Sequence, residues 1–558
     1  MKNILRLNDS NHLTELRLKT VIVFITIIIF GLFGARAFLH SGFYTSHDGE
    51  HQLVRQYAFE QGMKDRQIPV RYSRQLYNGF GYPLFFFTYR WPFYFGEVFR
   101  IIGLSFADSI KSVFFITYIA SGLAMFLFAR RWGNLAGLTA AILYMWAPYR
   151  FSVMFVRAAL GEHIAAVFVP LLFGSISSGK KIKVNVLVGA AAIAGLFLSH
   201  AMMAQMTLLA FIPWLAINFF LGKEKKSFIL RTIFMFVLGI GLSAYYLFPA
   251  AAFRGLTQKL NPNYFTDHFV TLRQLIYSPW GYAFSMKGVE NDGMSFQVGI
   301  VQWLAVLLAL VLLIYKTYKS DKSYKTYVEI LVLLIIFGSS VFLMTEKSSP
   351  IWNWWKNYVN IDMPWRFLLM TTFSASALAG AVIKGLVSRR EAGPLLAIIL
   401  VAIALYTNRN HLRVNEYFDF PDSRLETYRG TSNSDNEYRP KWDDGGIANN
   451  VLPEALISQG KGELKIVGSK SNSLKFAVSA DEDIRVDINT IYFPGWKVFV
   501  DGLENKFKYV GEKGIMRIDL GKGYHMVEAK FSDPPMAVIG DFISIISFII
   551  LIIVIRKS

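Results

Sequence analysis

Apolar residues run in long blocks through most of this chain, and only toward its C-terminal end do they begin to alternate with polar ones. Blocks near the ~20 residues that a bilayer-crossing helix needs recur at Lys19–Phe38, Ile110–Ala129, Leu135–Pro148, His163–Ser178, Val184–Ser199, Met203–Gly222, Phe228–Pro249, Gln297–Lys316, Tyr327–Thr345, Trp365–Lys384, Pro394–Thr407 and Met536–Ile555. The pattern predicts twelve spans. A further apolar stretch, Pro83–Leu104, carries Arg90, Glu97, Arg100 and two prolines, which places it at the interface. Farther on the period becomes two, in Leu464-x-Ile466, Leu474-x-Phe476-x-Val478, Ile484-x-Val486-x-Ile488 and Met516-x-Ile518-x-Leu520. Asp501-Gly502 and Gly521-Lys522-Gly523 supply hairpin-type turns. A small β-sandwich is expected there, preceded by an irregular arm at Asn408–Asn450 and ended by Asp533-Pro534-Pro535.

The chain therefore divides into a membrane domain over 1–407, whose first outer loop covers 39–105, then an arm and β-rich domain over 408–535, and a last span with its tail over 536–558. Composition agrees: 53% of the 558 residues are hydrophobic and 17% are charged. The excess of Lys plus Arg (58) over Asp plus Glu (39) lies largely in short loops and tails, including Arg130-Arg131, Lys180-Lys181, Lys225-Lys226, Lys319/Lys322, Arg389-Arg390 and Arg556-Lys557. It is not a nucleic-acid-binding patch. Because those loops alternate with less basic ones, the positive-inside rule puts both termini in the cytoplasm and four regions outside: 39–104, 149–162, 250–296 and 408–535. The chain has no cysteine, so disulfides, thiolate metal sites and cysteine nucleophiles are excluded. Ala35-Arg36-Ala37 resembles a signal-peptidase site, but the run before it is long for a leader, and the first span is expected to be an uncleaved anchor.

Candidate chemistry begins just past the first span, at Ser46-His47-Asp48-Gly49-Glu50-His51. In a helix from Ser46 to Gln67, Asp48, His51, Gln52 and Arg55 share a face and Glu50 points elsewhere. Two readings stand for Asp48: a base in a converging site, or the end of a Thr45-x-x-Asp48 capping box. Arg71, Arg74, Tyr77, Asn78 and Tyr82 follow in the same loop, where an interfacial tyrosine belt is the plainer alternative. Arg157, Glu162, His200 and Arg366 fall at outer ends of spans, on the side of Asp48. Singly each suits snorkelling or an interhelical ion pair; together, cations beside a carboxylate suit a lipid-borne phosphate near a base. His47 and His51 are spaced to hold zinc on one helix turn, and a divalent metal is a possible cofactor. Trp496 offers a ring for a sugar, but nothing specific marks it for one, and aromatics that pack the core or rest on the membrane surface are the favoured reading. Walker loops, His-Glu-x-x-His and Gly-x-Ser-x-Gly are absent.

Several of these stretches occur in an order that resembles a known group: Asp48 in the first outer loop, Arg-Ala-Ala-Leu-Gly-Glu at 157–162, Leu-Ser-His at 198–200, Pro-Trp-Arg-Phe-Leu at 364–368 and Tyr-Phe-Pro-Gly-Trp-Lys-Val-Phe-Val-Asp-Gly at 492–502. The chain is similar to bacterial membrane proteins labelled 6-pyruvoyl-tetrahydropterin synthase-related and to the YfhO-type proteins, which look like members of the GT-C glycosyltransferase superfamily. The resemblance implies a polytopic helical enzyme of the bacterial cytoplasmic membrane. It would take a sugar from a polyprenyl-phosphate donor to an envelope glycan, glycolipid or protein at the outer face, with inversion. Asp48 would be the general base, and Arg157, His200 and Arg366, with Arg55, Arg71 and Arg74 nearby, would face the donor phosphate. Glu50 and Glu162 are secondary acidic candidates. Many members carry two adjacent acids, whereas Gly49 separates Asp48 from Glu50 here. A flippase of lipid-linked saccharides and a non-catalytic assembly partner are the other functional readings.

Overall fold

The structure is a computed structural model; it describes residues 20–176, 182–258, 261–285, 293–318, 324–358, 362–386, 391–433, 436–443, 445, 452–509, 511 and 513–556. Among these residues, six helices are long and apolar enough to cross a membrane: Phe106–Trp132, Ala201–Leu221, Lys325–Met344, Pro364–Leu386, Ala392–His411 and Pro535–Arg556. Lys225–Leu242 and Ala244–Leu256 pass the same test as a pair bent by 72°. Thr20–Gly34, Asn134–Met145, Leu160–Ser175, Lys183–Ser199 and Ile300–Tyr315 are shorter apolar helices. Each apolar block read from the sequence falls on one of these elements, but length alone supports crossing for only part of the set. Helix Pro364–Leu386 is 94% buried and helix Pro535–Arg556 11% over their most apolar windows, so the first is central and the second peripheral. Of the basic loops used for orientation, Lys180-Lys181, Lys319/Lys322 and Arg389-Arg390 lie outside the described residues, as do Lys557 and part of the arm (434–435, 444 and 446–450).

The segment expected as the first outer loop folds into three helices. Gly49–Lys64 is shorter than the expected Ser46–Gln67, and it is followed by Leu84–Phe87 and Trp91–Ile101. The last of these exposes Phe95, Val98, Ile101 and Ile102, an apolar stripe at helical spacing that suits a membrane surface. Phe43–Tyr44 pairs antiparallel with Tyr417–Phe418 of the arm. The arm is thus tied to the first outer loop and is more than a linker.

The C-terminal domain is a sandwich. Gly462–Lys470, Ser473–Ala480, Gly523–Phe531, Trp496–Val500 and Leu503–Asn505 form one antiparallel sheet in that spatial order. Ala455–Gln459, Ile484–Ile491 and Ile515–Leu520 form the other. Leu474, Phe476, Val478, Val486, Ile488, Met516 and Ile518 fill the space between them, which follows from the two-residue alternation. Asp501 and Gly502 both take positive φ (52° and 84°) and join paired Val500 and Leu503 in a two-residue turn. The Gly521-Lys522-Gly523 turn differs from expectation, because Leu520 and Gly523 belong to different sheets and the turn carries the chain across the sandwich. Trp496 is 3% exposed, packed on Tyr72 and Phe531 at ring distances of 5.2 and 5.7 Å, so its ring is core and not a sugar platform.

Candidate active site

The site is assembled by backbone contact between two distant segments. His47 and Asp48 donate their N–H groups to the carbonyls of Val156 and Arg157 at 3.0 and 2.9 Å. Gln52 adds a longer bond to the Ala158 carbonyl at 3.4 Å. On the second segment Ser152–Arg157 forms a π-helical turn. Ala158 then takes a left-handed φ of 49°, a conformation that side chains other than glycine rarely adopt. The chain next enters helix Leu160–Ser175. This kink carries Arg157 back over the first turn of the following helix, where Glu162 waits. Gly161 has a separate reason for its identity: a Cβ there would lie 2.3 Å from the Ser199 carbonyl oxygen and 2.5 Å from the Tyr89 ring.

Glu162 is 1% exposed and sits at the centre of an ionic cluster. One carboxylate oxygen accepts from the Tyr149 hydroxyl. The other lies 2.5 Å from Arg157 Nη1 and 3.7 Å from Arg366 Nη1. Arg366 Nη1 is also 3.1 Å from His200 Nε2, and its Nε is 3.2 Å from Asp362 Oδ1. His200 Nδ1 faces the Met203 N–H at 3.3 Å, and a neutral imidazole can accept at only one of these nitrogens. Trp365 lies beneath both guanidinium groups, with its centroid 4.6 Å from Arg157 Cζ and 5.8 Å from Arg366 Cζ. Buried guanidiniums require this degree of pairing. Nε and Nη2 of Arg157 donate to no described residue, so this cation retains unused donors.

Asp48 flanks the cluster as the N-cap residue of helix Gly49–Lys64, yet its side chain makes no capping bond. The capping-box alternative is therefore not realised. The half-buried carboxylate has no hydrogen bond or ion pair to any described residue. Burial lowers the pKa of neighbouring His47, and the Arg157 charge acts in the same direction. Burial and then Arg55 do the same for His51. Both shifts favour the neutral imidazole. His47 Nε2 is engaged by the Tyr282 carbonyl at 3.1 Å. Among the described residues no three His, Cys, Asp or Glu side chains are grouped to hold a metal ion.

Other residues expected at the site are committed elsewhere. Arg71 is fully buried, binding Asp533 at 2.8 Å, Asp541 at 2.6 and 2.7 Å, and the Tyr245 carbonyl at 3.2 Å. It locks the first outer loop onto the last helix and the bent pair. Arg74 is spent on the sandwich, reaching Thr490 Oγ1 at 3.2 Å, Ser469 Oγ at 3.0 Å and Glu454 at 3.1 Å. Both lie apart from the expected set: adjacency in sequence placed them in the loop, and part-exposed carboxylates far along the chain decided their partners. Arg55 donates to the Ser432 carbonyl of the arm at 2.6 Å. Glu50 forms a surface pair with Arg424 at 3.0 Å, on the side away from Asp48. Sequence reasoning missed Tyr149, Tyr89 and Asp362. Tyr149 directly follows the Pro148 that ends a span, which was its only visible signal.

No family model matches the chain. An uncharacterized protein of Lactococcus lactis subsp. cremoris (strain MG1363) is 27% identical over 240 residues, 41% of this chain and 38% of that one. Among solved structures, the mycobacterial arabinofuranosyltransferase AftD gives a TM-score of 0.47 at 11% identity, covering 73% of this chain and 28% of that one. A mutant form of AftD gives 0.46 at 12%, covering 73% and 29%. The chain thus spans well under half the length of each.

Proposed function

We propose that this protein is a GT-C-type glycosyltransferase that moves a sugar from a polyprenyl-phosphate donor to an envelope acceptor at the outer face of the bacterial cytoplasmic membrane. The observation that carries the reading is the juxtaposition of the Asp48 carboxylate, without a hydrogen-bond or ion-pair partner among the described residues, with the Arg157–Glu162–Arg366–His200 cluster. A base must be free to take a proton, and a leaving phosphate needs fixed positive charge where its own charge develops. Asp48 takes the proton of the acceptor hydroxyl, whose oxygen attacks the anomeric carbon from the face opposite the phosphate. The bond from that carbon to the phosphate oxygen breaks, the configuration inverts, and the bond's electron pair leaves with the lipid phosphate. Arg157, through its unused N–H groups, contacts that phosphate. Glu162 fixes the Arg157 and Arg366 planes, and His200 supports Arg366.

A flippase reading has one observation in its favour, the 72° break between Leu242 and Ala244, since broken helices can form transport sites. Here the chain itself occupies the break. Tyr245 N–H donates to Ser544 Oγ at 2.9 Å, and the Tyr245 carbonyl accepts from Arg71 and Arg90 at 3.2 and 2.9 Å. The break serves as a seat for the first outer loop.

The test is transfer from labelled polyprenyl-phosphate sugars to crude envelope acceptor by protein in nanodiscs, wild type beside Asp48→Asn. Label reaching acceptor with wild type alone supports the proposal. Equal turnover in the variant removes Asp48 from it. Lipid-linked sugar crossing the bilayer without transfer replaces the proposal with the flippase.

A further inference from the structure

The segment Trp280–Ser285 places an aromatic ring at every second position: Trp280, Tyr282 and Phe284. It runs from the arm to the ionic cluster. At one end Trp280 stacks on His411 at 4.3 Å, and the Tyr282 hydroxyl donates to the Arg413 carbonyl at 3.0 Å. At the other, Ser285 Oγ accepts from Trp365 Nε1 at 3.1 Å, directly under Arg157 and Arg366. Between them the Phe284 ring lies 4.4 Å from the His47 ring, one residue from Asp48, yet Phe284 is 65% exposed.

An exposed phenylalanine at this place is not explained by lipid. Its neighbours lead to the polar residues Thr45, Arg413, Asn415 and Glu416: the Tyr282 hydroxyl meets the Arg413 carbonyl, and Thr45 lies two residues before His47. Asn415 Nδ2 reaches Thr45 Oγ1 at 3.4 Å, and the Thr45 N–H donates to the Glu416 carbonyl at 3.0 Å. Arg413, Asn415 and Glu416 are exposed, and charged side chains so placed belong in water rather than hydrocarbon. An exposed aromatic ring on a segment tied to such polar residues matches the C–H face of a sugar ring, which is apolar on one side and edged with hydroxyls.

We propose that the 280–284 segment is an acceptor shelf and that the acceptor is a saccharide chain, whose ring stacks on Phe284 and whose terminal hydroxyl thereby reaches Asp48. This deepens the glycosyltransferase reading and rests on it.

Binding can be read without turnover. The full-length protein in phosphatidylcholine nanodiscs, carrying Asp48→Asn, is mixed with soluble oligosaccharides from fragmented bacterial wall polysaccharide. Saturation transfer to sugar C–H protons is recorded by NMR. The expected result is transfer to these protons that weakens about three- to tenfold in Phe284→Ala, a loss of the size of one aromatic contact, and returns in Phe284→Tyr. No saccharide signal, or a signal that Phe284→Ala leaves unchanged, overturns the shelf. A second arm places Phe284→Trp in nanodiscs containing brominated acyl chains: quenching of the added fluorescence means that the ring contacts lipid and also overturns it. Failure of the donor-panel assay with an intact saccharide signal refutes the transferase and leaves a saccharide-binding surface, so the two failures are distinguishable.

Discussion

Replacing Glu162 by Gln tests the physical core of the site independently of any substrate. The substitution keeps the shape and an acceptor for the Tyr149 hydroxyl, but removes the charge that Arg157 meets at 2.5 Å and Arg366 at 3.7 Å. At an effective dielectric near 20, one pair at 3.7 Å is worth about 4 kcal/mol before desolvation. Breaking a buried pair by removing one partner costs about 3–5 kcal/mol, because the other charge stays behind unpaired. Glu162→Gln should therefore lose about 3 kcal/mol of stability, and Arg157→Met a similar amount. If the two residues act as a pair, the double variant costs less than the sum of the single ones, by about 3 kcal/mol at the upper end for residues in contact. Arg366 limits that recovery, since among the described residues Asp362 alone remains to balance it. The measurement is a double-mutant cycle by reversible unfolding in mixed detergent micelles. A coupling energy below about 0.5 kcal/mol, the spread seen for independent sites, would refute the claim that Glu162 organises the cluster.

Asp48→Asn should change stability by less than about 0.5 kcal/mol, since the carboxylate bonds to no described group, while transfer falls about 10²–10⁴-fold as expected for loss of a general base; unfolding and turnover of the same preparation separate the two. Gly161→Ala should abolish transfer and lower thermal stability, because its methyl cannot fit against the Ser199 carbonyl; wild-type behaviour of that variant would refute the close contact. Trp496→Ala should destabilise by about 3–5 kcal/mol through loss of core packing, with the oligosaccharide signal unchanged. The His525 pKa is raised by its hydrogen bond to Asp501, so this contribution to stability is full below the ordinary histidine value and fades as pH rises through the folded one. An NMR titration should show His525 moving down in Asp501→Asn. For His47 the sign reverses: burial lowers its pKa, so its contribution is full above the ordinary value and is lost as pH falls.

What the sequence determined by itself is the part of the molecule governed by local pattern. Blocks of apolar residues mark the helices, because each helix satisfies its own backbone and needs only an apolar exterior. The alternation from Leu474 to Val478 identifies a strand and its buried face, and Asp501-Gly502 specifies the turn between Val500 and Leu503, because only certain residues tolerate positive φ at both positions. The placement of Arg157, His200 and Arg366 at span ends was legible for the same reason, since charge is confined there. Tertiary structure decided which of the charged residues meet. Arg71 and Arg74 read no differently from Arg157 along the chain, but Asp533, Asp541 and Glu454, hundreds of residues away, claim the first two. Tyr149 joins Glu162, and Asp48 joins Arg157, only through a π-turn and a left-handed Ala158 that no periodicity announces. A charge pairs with whatever carboxylate the fold brings within reach, and that proximity is a property of the packed chain rather than of neighbours in sequence.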